Sequence, residues 1–175
     1  MDNGVALITG GASGIGFAVA AQLGRAGYTV VVLGRNTESG RQAATALCAS
    51  GIDAVGDGAD FSNHAEVASL RERLGPLAEP EILVCSAGVM SEKMSKTLRT
   101  APDEWDRVLG VNLLGVVNAL SHFAPPMVAA RSGRVIALSA CLGRFSGPGT
   151  SGGLAPYRVS KAAVNALIRN FAAET

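Results

Sequence analysis

The sequence predicts a doubly wound α/β domain, and three observations carry that prediction. Short runs rich in Val, Ile and Leu alternate with helix-period segments along the whole chain. Continuous apolar runs of this kind are how a strand covered on both faces reads. The first run leads into "ITGGASGIG", residues 8–16, which places Gly10, Gly11, Gly14 and Gly16 between a strand and a helix. Regular strand–helix alternation implies a mostly parallel sheet with right-handed crossovers, here in the order 3-2-1-4-5.

The expected strands are Val5–Thr9, Thr29–Leu33, Ala54–Val55 with its neighbours, Ile82–Cys85 and Arg134–Ser139. Helices are expected near 14–26, 37–49, 63–74, 103–130 and 157–173. Asn36 and Ser62 are candidate N-caps, and Glu66 stands at capping-box distance from Asn63. Pro125-Pro126 should kink or restart the fourth helix, because proline cannot donate to the helical ladder. Neither a repeat nor a linker interrupts the pattern, so residues 1–175 read as one domain. The stretch 144–156, "RFSGPGTSGGLAP", is the one low-complexity segment and reads as a loop.

Composition narrows the class without naming the chemistry. With 48% hydrophobic residues and 22 glycines, the 175-residue chain has material for a packed core with tight turns. A net charge of +1 offers no long-range attraction to nucleic acid or to an anionic membrane. The N-terminus lacks a signal-peptide pattern, and no apolar run is long enough for a membrane span. Cys48, Cys85 and Cys141 are far apart and lack metal-ligand spacing, so they read as buried free thiols with no metal site. A cytoplasmic protein is expected.

A helix N-terminus carries unpaired N–H groups and partial positive charge, and so holds anions. Glycines there let the backbone approach a pyrophosphate. The spacing is Thr9-Gly10-x-x-x-Gly14-x-Gly16. It resembles the TGxxxGxG signature of the short-chain dehydrogenase/reductase family. An epimerase or dehydratase of the extended branch would have glycine where this chain has Ser13. Further landmarks of the family recur in order: Asp60, "CSAG" at 85–88, "GVNLLG" at 110–115, "ALSACLG" at 137–143 and "YRVSK" at 157–161.

The resemblance implies a Rossmann-type domain with a nicotinamide cofactor on Gly10, Ser13, Gly14, Ile15, Gly16, Arg35, Asp60, Phe61, Ala87, Gly88, Tyr157 and Lys161. An acidic residue closing the second strand would hold a ribose 2′-hydroxyl, whereas arginine accommodates a 2′-phosphate. Here Gly34 fills the acidic slot and Arg35 follows, so NADP(H) is expected rather than NAD(H). Asp60 would accept from the adenine amino group. Cys85 and Ser86 stand where the family usually has asparagines, which removes a donor.

Tyr157 and Lys161 are four residues apart, hence on one helix face. A cation about 4 Å from a phenolate, at an effective dielectric of about 20, stabilises it by roughly 4 kcal/mol. By resemblance, Tyr157 is the general acid/base, Lys161 tunes it and binds the nicotinamide ribose, and Asn112 anchors a proton relay. The family's substrate-binding serine stands three residues before the glycine after the fifth strand. That position is Ala140 here, and Ser139 is its neighbour. Ser139 is taken for the role, with Ser146, Thr150 and Ser151 as alternative hydroxyls.

The expected activity is NADP(H)-dependent interconversion of a carbonyl and an alcohol on a small-molecule substrate. The alternative is a catalytically impaired NADP-binding regulatory or scaffold module. Family members usually continue for two more strands and a substrate lid, so an apolar sheet edge is expected beside the fifth strand. The apolar helix faces Val116, Val117, Leu120 and Val164, Leu167, Phe171 would serve a homodimer or homotetramer, or be covered by further chain.

Overall fold

The computed structural model describes residues 3–145 and 152–175. Ser146, Thr150 and Ser151 lie outside those residues. Five parallel strands form one sheet in the order β3-β2-β1-β4-β5. They are β1 (Asn3–Thr9), β2 (Tyr28–Gly34), β3 (Ala54–Gly58), β4 (Ile82–Cys85) and β5 (Arg134–Ala137). The helices are α1 (Gly14–Arg25), α2 (Thr37–Cys48), α3 (His64–Leu74), α4 (Pro102–Leu109), α5 (Gly115–Phe123), α6 (Pro125–Ala130) and α7 (Ala155–Glu174). Among the described residues, no helix is long and apolar enough to cross a membrane.

Alternate residues of the strands bury into two cores, as a sheet covered on both faces requires. Leu7, Val31, Leu33 and Leu83 pack with α3, α5 and α7, while Ala6, Ile8, Val30, Val32 and Val84 pack with α1 and α2. Val116, Leu120 and Val164 belong to the first of these cores. Those side chains therefore face the chain's own interior and are not a free oligomer surface. Among the described residues β5 pairs with β4 alone. Beside it an apolar cleft of about 380 Å³ runs between Met127, Val135, Ile168 and Phe171, in keeping with the expected apolar edge.

Three local readings are corrected. The long fourth helix restarts at Pro125 as expected, but it is also broken earlier, where a π-helical turn occupies Gly110–Leu114. Proline explains the second break; the first has no signature as strong. Asn63, not Ser62, caps α3, accepting from the Ala65 and Glu66 amides. The Glu66 carboxylate reaches back to the Asp60 amide at 2.9 Å instead of the cap residue's own. Of the three free thiols only Cys85 is buried, and burial pushes its pKa up to about 12; Cys48 and Cys141 are exposed.

Asp57 at the end of β3 ties the sheet to two helices. Its carboxylate accepts from Thr37 of α2 at 2.8 Å and from Arg73 of α3 at 3.0 Å. Burial raises its pKa, but the Arg73 and Thr37 hydrogen bonds outweigh that and hold it below the usual carboxylate value. A depressed folded pKa contributes stability that is present above the unfolded value and lost as pH falls through the folded one. Asp57→Asn should therefore lower stability at pH 7 by about 1 kcal/mol. In urea titrations its deficit relative to wild type should shrink as pH falls below about 4; a deficit unchanged down to pH 2 would refute this assignment.

Candidate active site and dinucleotide cleft

The order reverses at β1, with β2 on one side and β4 on the other, so the loops leaving their carboxyl ends diverge and open a crevice. The cleft measures about 570 Å³ and is lined by Gly10, Ser13, Arg35, Asp60, Ala87 and Gly88, among others. The turn after β1 has the requirements of an anion cradle. Gly10 takes φ +66°, and a Cβ there would lie 2.7 Å from the Ala87 backbone. Gly14 takes φ +54° with open space on its Cβ side, so backbone can meet a ligand there without obstruction. A Cβ on Gly16 would collide with the Gly10 carbonyl, so glycine is what closes the turn on α1.

Ser13 is the N-cap of α1 but makes no side-chain capping bond, and the first turn carries no acidic residue. The helix's positive end thus meets the cleft without an internal counter-charge. Thr9 braces the crevice by accepting the Ala87 amide on its hydroxyl at 3.2 Å. These features fit a diphosphate.

Gly34 is buried and Arg35 exposed at the mouth of the cleft. A Cβ on Gly34 would collide with the Ser39 hydroxyl and lie 2.8 Å from the Gly40 amide nitrogen. Glycine is demanded here by the close approach of α2, a reason the sequence does not disclose. Asp60 lines the cleft, and its Oδ1 accepts from the Ser62 amide at 2.9 Å and the Ser62 hydroxyl at 2.7 Å, which fixes the carboxylate at the turn after β3. Phe61 also lines the cleft and is buried; its carbonyl accepts from Asn118 at 2.8 Å. Ile15 is 66% exposed on the first turn of α1, outside the cleft lining.

Behind Gly88 and Val89 of the cleft wall lie the polar groups that would do chemistry; Asn112, Tyr157 and Lys161 are not themselves among the lining residues. Asn112 is fully buried in the π turn. The extra residue of such a turn rotates side chains out of helical phase and recurs at functional sites. Asn112 Oδ1 accepts the Val89 amide at 2.7 Å, while Nδ2 donates to the Val89 carbonyl and the Ser160 hydroxyl, both at 3.0 Å. It therefore welds the segment after β4 to α7. Lys161 is 6% exposed, and its Nζ donates to the Leu138 carbonyl at 2.8 Å. That Nζ lies 5.9 Å from the centroid of the half-buried Tyr157 ring. A Cβ on Gly88 would sit 3.3 Å from Asn112 Oδ1 and 3.6 Å from Lys161 Nζ, so the cleft wall passes directly beside this pair. Burial holds the Lys161 pKa below the ordinary lysine value.

Ser139 does not stand among these groups in the same manner. It is exposed, and its hydroxyl donates to the Lys161 carbonyl at 3.2 Å. Sequence reasoning missed Arg107, which also lines the cleft. Its guanidinium pairs with Glu104 at 2.9 Å and donates to the Met90 carbonyl at 2.8 Å, holding the segment that follows Gly88. The i, i+3 spacing of Glu104 and Arg107 was the available signal, but it is common on exposed helices. Among the described residues no cluster of His, Cys, Asp and Glu could hold a metal ion.

Comparison with known proteins agrees with this fold. Glycine betaine reductase ATRR of Emericella nidulans is 37% identical over 175 residues, covering 98% of this chain but only 13% of that much longer protein. The 3-oxoacyl-[acyl-carrier-protein] reductase FabG of Staphylococcus aureus is 33% identical over 171 residues, covering 97% of this chain and 67% of the relative. A solved metagenomic short-chain oxidoreductase in complex with NADP superposes with a TM-score of 0.85 at 32% identity, covering 97% of this chain and 75% of that one. The family profile described as short chain dehydrogenase matches residues 4–175. The chain belongs to the short-chain dehydrogenase/reductase family.

Proposed function

We propose that this chain carries out NADP(H)-dependent interconversion of a carbonyl and an alcohol on a small molecule. One observation carries the reading: a buried lysine, with a phenol ring 5.9 Å from its ammonium, stands directly behind Gly88, which lines the same cleft as the uncapped, glycine-lined helix N-terminus. The diphosphate would rest on the amides of Gly14 to Gly16, with Arg35 receiving the 2′-phosphate through charge-assisted hydrogen bonds. The NADP complex of the metagenomic relative supports that choice of cofactor, and the name of the FabG relative supports a carbonyl substrate.

The hydride of the reaction comes from the nicotinamide when it is bound. The chain's own residues manage the proton and the orientation. In reduction, Tyr157 donates its hydroxyl proton to the forming alkoxide oxygen. The Lys161 ammonium stabilises the phenolate that is left, and the buried Asn112 holds the Val89 segment after β4 against α7. Gly88 and Ala87 would give the nicotinamide a surface with no side chain larger than a methyl.

A second reading is a non-catalytic NADP-binding module. It is favoured by Ala140 in the family's serine position and by the engagement of Ser139 with the Lys161 carbonyl. Saturable NADPH binding without turnover of any carbonyl in a panel would favour it over catalysis.

Tyr157→Phe should lower carbonyl-dependent NADPH oxidation by about 10²–10⁴-fold, the usual worth of a positioned acid/base, while NADPH affinity changes little. Undiminished turnover in that variant would remove Tyr157 from the chemistry. Arg35→Ala should raise the KM for NADPH about tenfold or more and leave that for NADH nearly unchanged, since a charge-assisted bond contributes about 1.5–3 kcal/mol. Equal changes for the two cofactors would sink the 2′-phosphate role. Because the Lys161 pKa is depressed, its ammonium form is complete at low pH and is lost earlier on raising the pH than an exposed lysine's. The kcat for reduction should accordingly decline on an alkaline limb below the ordinary lysine value of about 10.4, and a flat profile to that pH would contradict the charge role.

A further inference from the structure

Among the described residues, the hydrogen bonds between the corner that follows β5 and α7 converge on one residue, Lys161. Lys161 Nζ donates to the Leu138 carbonyl at 2.8 Å, and the Lys161 carbonyl accepts from the neighbouring Ser139 hydroxyl at 3.2 Å. The 3-10 turn Cys141–Gly143 then brings Gly143 against the same backbone: a Cβ there would lie 2.8 Å from the Lys161 carbonyl carbon and 3.0 Å from the Ala162 nitrogen. One lysine is thus gripped at its head by residue 138, at its carbonyl by residue 139 and along its main chain by residue 143. A mid-helix carbonyl has already spent a lone pair on the helix, so the serine bond is an addition that serves the contact between elements. On the opposite side, Asn112 fixes the helix one residue earlier through Ser160, whose hydroxyl also donates to the Tyr157 carbonyl at 2.7 Å.

We propose that Ser139 and Gly143 are positioning residues that set where the Lys161 ammonium stands, and that Ser139 does not hold the substrate oxygen. The strand period agrees with this: Val135 and Ala137 pack with the α7 side of the sheet, and residue 139 continues that face. The hydroxyl needed to reach the α7 main chain is therefore the one at 139, and the smallest side chain is needed at 143. The functional consequence rests on the proposed oxidoreductase activity, but the grip on Lys161 does not. Among the described residues the ammonium has the Leu138 carbonyl at 2.8 Å and the Tyr157 ring centre at 5.9 Å, and a Cβ on Gly88 would lie 3.6 Å from it.

The test reads Lys161 directly. The lysines of the chain are Lys93, Lys96 and Lys161, so ¹⁵N-lysine side-chain NMR separates one buried amine from two exposed ones. Gly143→Ala should shift the Lys161 Nζ resonance and move its titration midpoint up towards the ordinary lysine range, because a displaced head is better solvated. Ser139→Ala should do the same to a smaller extent, and Ser139→Thr should restore the wild-type signal. The resonances of Lys93 and Lys96 should stay in place. In turnover assays, Gly143→Ala should lower kcat about tenfold with the carbonyl KM within about twofold of wild type, the mark of misplacement rather than lost binding. A Lys161 signal unmoved in both Ala variants would overturn the proposal. So would Ser139→Ala raising the carbonyl KM with kcat and the Lys161 signal unchanged, since the hydroxyl would then act on substrate. Should no carbonyl be reduced even by the wild type, the proposed function fails, and the NMR arm alone decides the positioning claim.

Discussion

The reversal of strand order at β1 is the constraint from which the rest of the site follows. Because β2 and β4 flank β1 on opposite sides, the chain leaves their carboxyl ends in opposite directions and cannot close over the crevice. Each strand end delivers part of the site: the glycine turn comes from β1, Arg35 from β2, Asp60 from β3, Gly88 from β4 and the grip on Lys161 from β5, while Arg107 of α4 completes the wall. Burial of the strands on both faces locks this arrangement, since Leu7, Ile8, Val31, Val32 and Leu83 have no exposed surface to trade.

Electrostatically the two ends of the crevice complement each other. At one end backbone amides face the opening with no acid in the first turn of α1; behind Gly88 an ammonium is held out of water on a carbonyl. Removing a cation from water is costly, and the chain meets that cost with a hydrogen bond rather than a carboxylate partner. A carboxylate would neutralise the charge that the proposed role of the neighbouring phenol requires. Leaving the ammonium unpaired keeps its field available to Tyr157, 5.9 Å away at the ring centre.

How much of this could be read from the sequence depended on whether a feature was local. The strands, their order and the glycine turn were legible because apolar runs and φ-permissive residues act over a few positions. Asn36 was recognisable as a cap for the same reason. The break at Gly110–Leu114 was not, because a π turn depends on tertiary contacts: a Cβ on Gly110 or Gly115 would lie 3.3 Å from Ser62 or Phe61. The polar misfit of Asn112 in an apolar helix hinted at it. Gly34 was read as a missing acid, whereas its neighbour α2 leaves no room for any side chain. Ser139 was read through the serine position of the resemblance, and only the fold reveals that its hydroxyl turns to the backbone of Lys161. Cys48 and Cys141 misled because exposure of a lone thiol has no sequence pattern.

The central claim is that one crevice joins an anion-binding helix end to a phenol–ammonium pair. A crystal structure of the protein soaked with NADPH tests it most directly. The account requires the diphosphate within hydrogen-bonding distance of the Gly14–Gly16 amides and the nicotinamide ring facing the Tyr157 hydroxyl across Gly88. A dinucleotide seated elsewhere, or one whose nicotinamide lies beyond reach of that hydroxyl, would contradict it.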